Sequence, residues 1–292
     1  MAALVLWHFP YATDDPIRRE DAIREFYQFA YSAAVMKDTA LAKEATEAKF
    51  TYNVQKGVEN FVKEHGLQRA KVLEVGSGSG YLQDVVDDYT GLDISKTVAK
   101  YYHKPFVAGT ATAMPFADNE FDAAWSIWVL EHIPNPEAAL AEIRRVVRPG
   151  GLLFMQPAWD CKPWAAEGYA ARPYSDFGIG GKLIKATIPV RSRLGFWILT
   201  TIPNRFLRAP AALMGPTRLH YRRIEPNYRE YWQADSDAVN DLDSTEMAMW
   251  FESRGDVCLS CAPGVLKFLQ MDRPLIIRIS NDKKTDPSKT NP

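Results

Sequence analysis

The chain of 292 residues has few cysteines, no long apolar run and almost no net charge. Its 3 cysteines cannot build a disulfide framework, which points to a reducing compartment. No stretch of about 18 uncharged apolar residues occurs, which argues against a membrane-spanning helix. The apolar start MAALVLW has no basic residue ahead of it and is too short for a secretory signal, so the expected location is the cytoplasm. A net charge of −1, from 35 basic and 36 acidic side chains, shows no overall bias toward nucleic acid. With 47% hydrophobic and 24% charged residues, collagen-like, coiled-coil and wholly disordered chains are excluded.

One absence is local. From Phe177 to Ile224 there is no Asp or Glu, while nine Lys and Arg residues fall there: Lys182, Lys185, Arg191, Arg193, Arg205, Arg208, Arg218, Arg222 and Arg223. The remainder of the chain therefore carries −10, since nine positive charges are set against a total of −1. Phe196, Trp197, Ile198, Leu199, Phe206 and Leu207 are interleaved with these cations.

The periodicity changes along the chain. Ile23, Phe26, Tyr27, Ala30 and Tyr31 repeat at helix spacing, with Asp14 or Asp15 able to cap and Pro16 suited to the first turn. A second helix is expected over Thr39–Glu64, closed by Gly66. Short apolar strands then alternate with helices. Strands are expected at Lys71–Gly76, Tyr89–Ile94, Lys104–Ala108, Phe121–Ile127 and Leu152–Gln156. The intervening helices fall near Tyr81–Val86, Ser95–Tyr102 and Pro136–Val147. Such alternation predicts an α/β, doubly wound, mostly parallel sheet. A helix over Ser244–Arg254 and closing strands at Asp256–Cys261 and Pro274–Ile279 bring the strands to seven. Cys258 and Cys261 form a C-x-x-C on the first closing strand, where residues three apart face opposite sides. With Cys161 as the one further cysteine, no metal site is expected and these are read as buried structural thiols.

The run VLEVGSGSG places Gly76, Gly78 and Gly80 between a buried strand and an expected helix, where backbone N–H groups can approach a ligand. Tyr81 stands where a dinucleotide fingerprint needs its third glycine, which counts against NAD(P). Asp93 closes the second strand, placed to take both hydroxyls of a ribose.

Four blocks in order, VLEVGSGSG, GLDIS, ATAMPFADNEFDAAWSIWVLEHI and EIRRVVRPGGLL, resemble the class I S-adenosylmethionine-dependent methyltransferases. The likeness covers Lys71 to Met155 and is greatest to the branch acting on small molecules and lipids, including quinone biosynthesis. It implies a Rossmann-like core at 67–156 that binds S-adenosyl-L-methionine, with 1–66 as an N-terminal helical cap. Residues 157–241 would be an insertion over the acceptor, 242–280 the closing helix and strands, and 281–292 a disordered polar tail.

By the same resemblance, Gly76, Gly78 and Gly80 line the methionine and ribose, and Glu74 braces the glycine turn. Asp93 holds the ribose, Ile94 packs on adenine, Met114 flanks the base and Ser126 sits beside the methionine moiety. The family's acidic partner for the adenine amino group is replaced by Thr110, followed by Ala111, so that contact would fall to a hydroxyl or the backbone.

His132 directly follows the fourth strand and is the first choice as base for a hydroxyl acceptor, its alternative being a structural histidine. Glu131 would bond to backbone or cofactor, and Trp159 and Asp160 are weaker candidates for the acceptor pocket. The basic, aromatic insertion reads as a lid, or as a peripheral contact with an anionic membrane in which Arg205 and Arg208 meet headgroups. A small-molecule or lipid-linked acceptor is expected, and no RNA-binding module is recognisable. A non-catalytic scaffold and, further back, an RNA methyltransferase are the competing readings.

Overall fold

The computed structural model describes residues 17–32, 53–227 and 235–281. The capping residues proposed for the first helix, most of the stretch before Asn53 and nearly all of the polar tail lie outside these.

Helix α1 spans Ile17–Ala30 and α2 spans Val54–Glu64. The strands β1 (Lys71–Val75), β2 (Asp88–Asp93), β3 (Phe106–Ala108), β4 (Phe121–Ile127) and β5 (Val147–Gln156) pair in parallel. Helix α3 (Pro136–Val146) links β4 to β5, with Asn135 accepting from Ala138 N at 3.2 Å and Pro136 in its first turn. Strand β5 starts earlier than its apolar run, at Val147. The Arg148–Gly151 turn is absorbed as an irregularity in register between Phe121 and Ala123.

The insertion contributes α4 (Ile179–Arg191), α5 (Leu194–Met214) and a short antiparallel ribbon of β6 (Arg222–Arg223) and β7 (Asn240–Asp241). Helix α6 (Ser244–Glu252) and strands β8 (Val257–Cys258) and β9 (Leu275–Arg278) return to the core. The sheet has seven strands in the order β3-β2-β1-β4-β5-β9-β8, with β9 and β8 antiparallel. The order in which strands are added reverses at β1, with β2 and β3 on one side and β4 and β5 on the other, and the crevice beyond the carboxyl ends of β1 and β4 is where such sheets bind ligands.

Alternation along the strands divides the core. Leu73, Val75, Ala124, Leu153 and Met155 face α3 and α6, meeting Leu140, Ile143 and Trp250. Val72, Ala123, Trp125 and Phe154 face the other way, onto Val58, Phe61 and Val62 of α2.

Two expectations need correction. Strand β8 ends at Cys258 and the chain then bends, so Cys258 and Cys261 come to a Cα separation of 5.4 Å and form a disulfide instead of free thiols. The segment Tyr81–Val86 makes isolated turns, with Gln83 N bonded to Gly80 O and Val85 N to Leu82 O at 3.1 Å each. Pinned between Gly80 and the Asp87 N to Gln68 O bond, it is too short to repay helix nucleation.

Candidate active site

Gly76, Gly78 and Gly80 all adopt positive φ, at 73°, 49° and 68°. A Cβ on Gly76 would collide with the Val129 side chain, and one on Gly80 would lie 2.7 Å from the Tyr102 ring. Both positions therefore need glycine twice over, for conformation and for space.

Without a following helix, the turn itself directs amides at Asp93. Gly78 N donates to Asp93 Oδ2 and Ser95 N to Oδ1, each at 2.8 Å. Burial raises the Asp93 pKa, and these two amides oppose the shift. One bond per oxygen leaves acceptor capacity at both, facing the cavity described below.

Glu74 is buried within β1, accepts a bond from the Tyr89 hydroxyl, and is pushed up to about 8 by burial. The Tyr89 ring stacks on Tyr102 at 6.5 Å, and the Tyr102 hydroxyl donates to the carbonyls of Ser77 (3.0 Å) and Gly78 (2.9 Å). This Glu74–Tyr89–Tyr102 chain braces the turn from below. Tyr102 carries no motif signal, because its partner is a backbone carbonyl 24 residues away.

A partly open cavity of about 100 Å³ lies at the reversal point between β1 and β4. It brings together Gly76, Asp93, Ile94, Thr110, Ala111 and His132. Glu74, Gly78, Gly80, Met114 and Ser126 are not on its wall. Met114 is packed in the core, with its N–H on Glu142 Oε2 at 2.9 Å, and Ser126 is buried in β4. The opposite wall comes from α1, through Glu20, Ile23, Tyr27 and Tyr31, none of which the sequence singled out for ligand contact. Trp128 lines it with φ 54°, a strained setting for an aromatic residue.

His132 sits on this wall between carboxylates, with Nδ1 3.6 Å from Asp237 Oδ2 and Nε2 3.6 Å from Glu131 Oε1. Burial lowers its pKa, but Asp237, Glu131 and Asp235 together raise it further, so the net shift is upward. Asp237 also accepts the Tyr27 hydroxyl at 2.7 Å, and the Tyr27 and His132 rings meet edge-on at 6.0 Å. Glu131 Oε1 accepts from Ala158 N at 3.0 Å, and burial pushes Glu131 up to about 7 against the charge of His132. Asp160 lies elsewhere: it lines a second, polar cleft of about 630 Å³ with Arg222 and Asp241, and pairs with Lys162. Trp159 bridges to Leu242. Among the described residues, no group of three or more His, Cys, Asp or Glu could hold a metal ion.

A parallel α/β sheet with a glycine turn, a buried carboxylate at the end of β2 and a cavity at the reversal point defines a nucleotide-type ligand site. Residues 73–155 match the methyltransferase domain family. The chain carries a class I S-adenosylmethionine-dependent methyltransferase domain.

A demethylmenaquinone methyltransferase of Renibacterium salmoninarum is 40% identical over 94 residues, covering 29% of this chain and 40% of that one. A phthiotriol/phenolphthiotriol dimycocerosates methyltransferase of Mycobacterium ulcerans is 31% identical over 41% of this chain and 51% of its own. The chain thus matches about half, or less, of the length of these relatives. The crystal structure of Burkholderia thailandensis 1,6-didemethyltoxoflavin-N1-methyltransferase shares the fold over 92% of both chains, with TM-score 0.50 and 13% identity.

The cavity fits S-adenosylmethionine on its own chemistry: Asp93 on its wall retains acceptors for a diol, and Ile94 beside it offers an apolar surface for a base.

Proposed function

We propose that the protein methylates a hydroxyl on a small-molecule or lipid-linked acceptor, with His132 as the base. The observation that carries this reading is His132 on the wall of the Asp93 cavity, flanked by two carboxylates. Bound S-adenosylmethionine would supply an already activated methyl group, so the chain's own residues have to orient two reactants and accept one proton. Asp93 would hold the ribose, and Gly76 lets the backbone come close. His132 would take the hydroxyl proton, while Asp237 and Glu131 stabilise the resulting imidazolium. Tyr27, bonded to Asp237, keeps that carboxylate facing the ring. The raised pKa of His132 makes it a better proton acceptor but leaves it charged to higher pH, so turnover rises with pH as the ring loses its proton.

Calorimetry with S-adenosylmethionine and its demethylated product tests the cofactor site. Asp93→Ala removes charge-assisted bonds of about 1.5–3 kcal/mol and is expected to weaken binding roughly ten- to hundredfold. Unchanged affinity would refute the assignment.

The insertion supports a lipid-facing role by a route that the sequence did not indicate. Arg205 and Arg208 do not face outward: Arg205 is buried against Asp243 and Asp272, and Arg208 pairs with Glu246 at 2.9 Å. What α5 presents to solvent is apolar, with Leu199 73%, Leu207 77%, Leu213 89% and Met214 84% exposed. Val265, Leu266, Leu269 and Met271 extend this face, joined to it where Phe206 meets Phe268 at 5.0 Å. A patch of this kind marks an interaction surface. Lys182, Arg193 and Arg218 lie exposed on the same acid-free segment and suit anionic headgroups. No helix of the described residues is long and apolar enough to cross a membrane, so the contact would be interfacial. The protein is expected to sediment with vesicles containing anionic lipid, and Leu199→Asp with Leu207→Asp should abolish this. No protein in the pellet at low salt would decide for a simple lid over the acceptor.

A further inference from the structure

Among the described residues, Glu20 and Asp93 are the two carboxylates on the wall of the cavity. They occupy different places. Asp93 ends β2, whereas Glu20 comes from α1 and meets the segment that follows β3. Its Oε2 accepts from the Thr112 hydroxyl at 3.4 Å, and Thr112 Oγ1 lies 2.8 Å from Thr110 Oγ1. Arg24, one turn along α1, donates to Oε1 at 3.3 Å.

The order of strands sets the direction of a nucleoside in this cavity. A ribose held at Asp93 has the glycine turn on its β1 side and Ile94, Thr110 and Ala111 on its β3 side. The glycine turn offers close backbone at Gly76, its Gly76, Ser77, Gly78 and Gly80 N–H groups being already bonded within the fold, and this room suits the tail of the ligand. The β3 side offers Ile94 for an aromatic face, with Thr110 and Glu20 at its edge. Thr110 is already engaged with Thr112, through both the hydroxyl and the Thr112 N–H at 3.3 Å. Glu20 is acceptor-only and its two present bonds are long, so it keeps capacity for a further donor. Its side chain is 28% exposed, hence neither sealed in the core nor fully solvated.

We infer that Glu20 accepts the hydrogen bond from the 6-amino group of adenine, making α1 the element that discriminates the base. The inference rests on reading the cavity as the S-adenosylmethionine site. It explains how the chain manages without an acid at Thr110: the carboxylate arrives beside it from a helix about 90 residues earlier in sequence. If Glu20 served only in the helix-surface pair with Arg24, its loss would hardly register.

The test is calorimetry with S-adenosylhomocysteine and with S-inosylhomocysteine, which carries a carbonyl oxygen in place of the 6-amino group. Both are uncharged at sulfur, so long-range attraction to a sulfonium does not enter. Wild type is expected to favour the adenosyl compound by about tenfold or more. Glu20→Gln should erase or reverse that preference, because its amide N–H can donate to the 6-oxygen. Glu20→Ala should weaken the adenosyl compound without improving the inosyl one. An Arg24→Gln control should keep the wild-type ratio. The same base preference in wild type and Glu20→Gln, with both folded by circular dichroism, would overturn the inference. Wild type binding neither compound would instead overturn the cofactor reading itself.

Discussion

Replacing Arg205 with Met is expected to lower the unfolding free energy by about 3–5 kcal/mol, the cost of removing a buried guanidinium from two half-buried carboxylates. Arg205 is 1% exposed and every face of its guanidinium is used. Nε donates to Asp243 at 2.9 Å, and Nη2 pairs with Asp243 at 2.7 Å and Asp272 at 3.2 Å. Nη1 donates to the carbonyl of Gln270 at 2.7 Å, and the Trp197 ring lies 5.0 Å from the guanidinium carbon. Asp243 also caps α6 through Thr245 N and Glu246 N, and Asp272 accepts from Ser244. One side chain of α5 thereby fastens the insertion to the start of α6 and to the chain entering β9. Met matches the volume but not the charge, so both acids lose their counterion together. Urea denaturation measures the change directly. Arg193→Met, at an exposed position, should stay within about 0.5 kcal/mol of wild type. A similarly small change for Arg205→Met would mean that water enters and solvates the carboxylates.

His132→Ala is expected to slow turnover about 100-fold or more while leaving cofactor affinity within a few-fold. The split follows from position. On the proposed reading Asp93, Gly76 and Ile94 would hold the nucleoside without His132, whose ring lies between Asp237 and Glu131. The variant should also lose the rise of activity with pH that deprotonation of His132 produces, which a packing defect would not remove. Both 3.6 Å separations are longer than hydrogen bonds, and such contacts commonly tighten once substrate is bound. Near-normal turnover with a retained pH profile would make His132 a structural residue, held by the edge of Tyr27 and its two acids. Asp237→Asn offers a second reading of the same network. It should lower the His132 pKa and move the pH profile toward acid, whereas simple misfolding would only reduce the amplitude.

Much of the core was legible before any coordinates. Strand β4 falls on Phe121–Ile127 because one apolar run between turn signals holds the whole element. Helix α3 ends one residue from its expected limit because Asn135-Pro136 and Pro149-Gly150-Gly151 bound it. The Asp93 carboxylate faces the cavity because it closes a strand whose neighbour ends in the glycine turn. Local signals misled where tertiary contacts overrode them. The helix expected after Gly80 is replaced by turns, and the C-x-x-C expected in an extended strand bends into a disulfide.

The sequence by itself determined the succession of strands along the chain, the glycine turn and the carboxylate that closes β2, since each depends on residues within one βαβ unit and on its period. The tertiary structure alone decided what stands around that site. Glu20, Tyr27 and Tyr31 reach the cavity from α1, and Asp237 meets Tyr27 across 210 residues of sequence. It also decided the sign of the insertion's surface. Three of its arginines, Arg205, Arg208 and Arg222, turn to Asp241, Asp243, Glu246 and Asp272, while Lys182, Arg193 and Arg218 stay exposed beside outward-facing apolar side chains. The reason is physical: a charge in sequence has no direction until the fold supplies its partner. A buried guanidinium keeps its place only where carboxylates from distant segments converge on it.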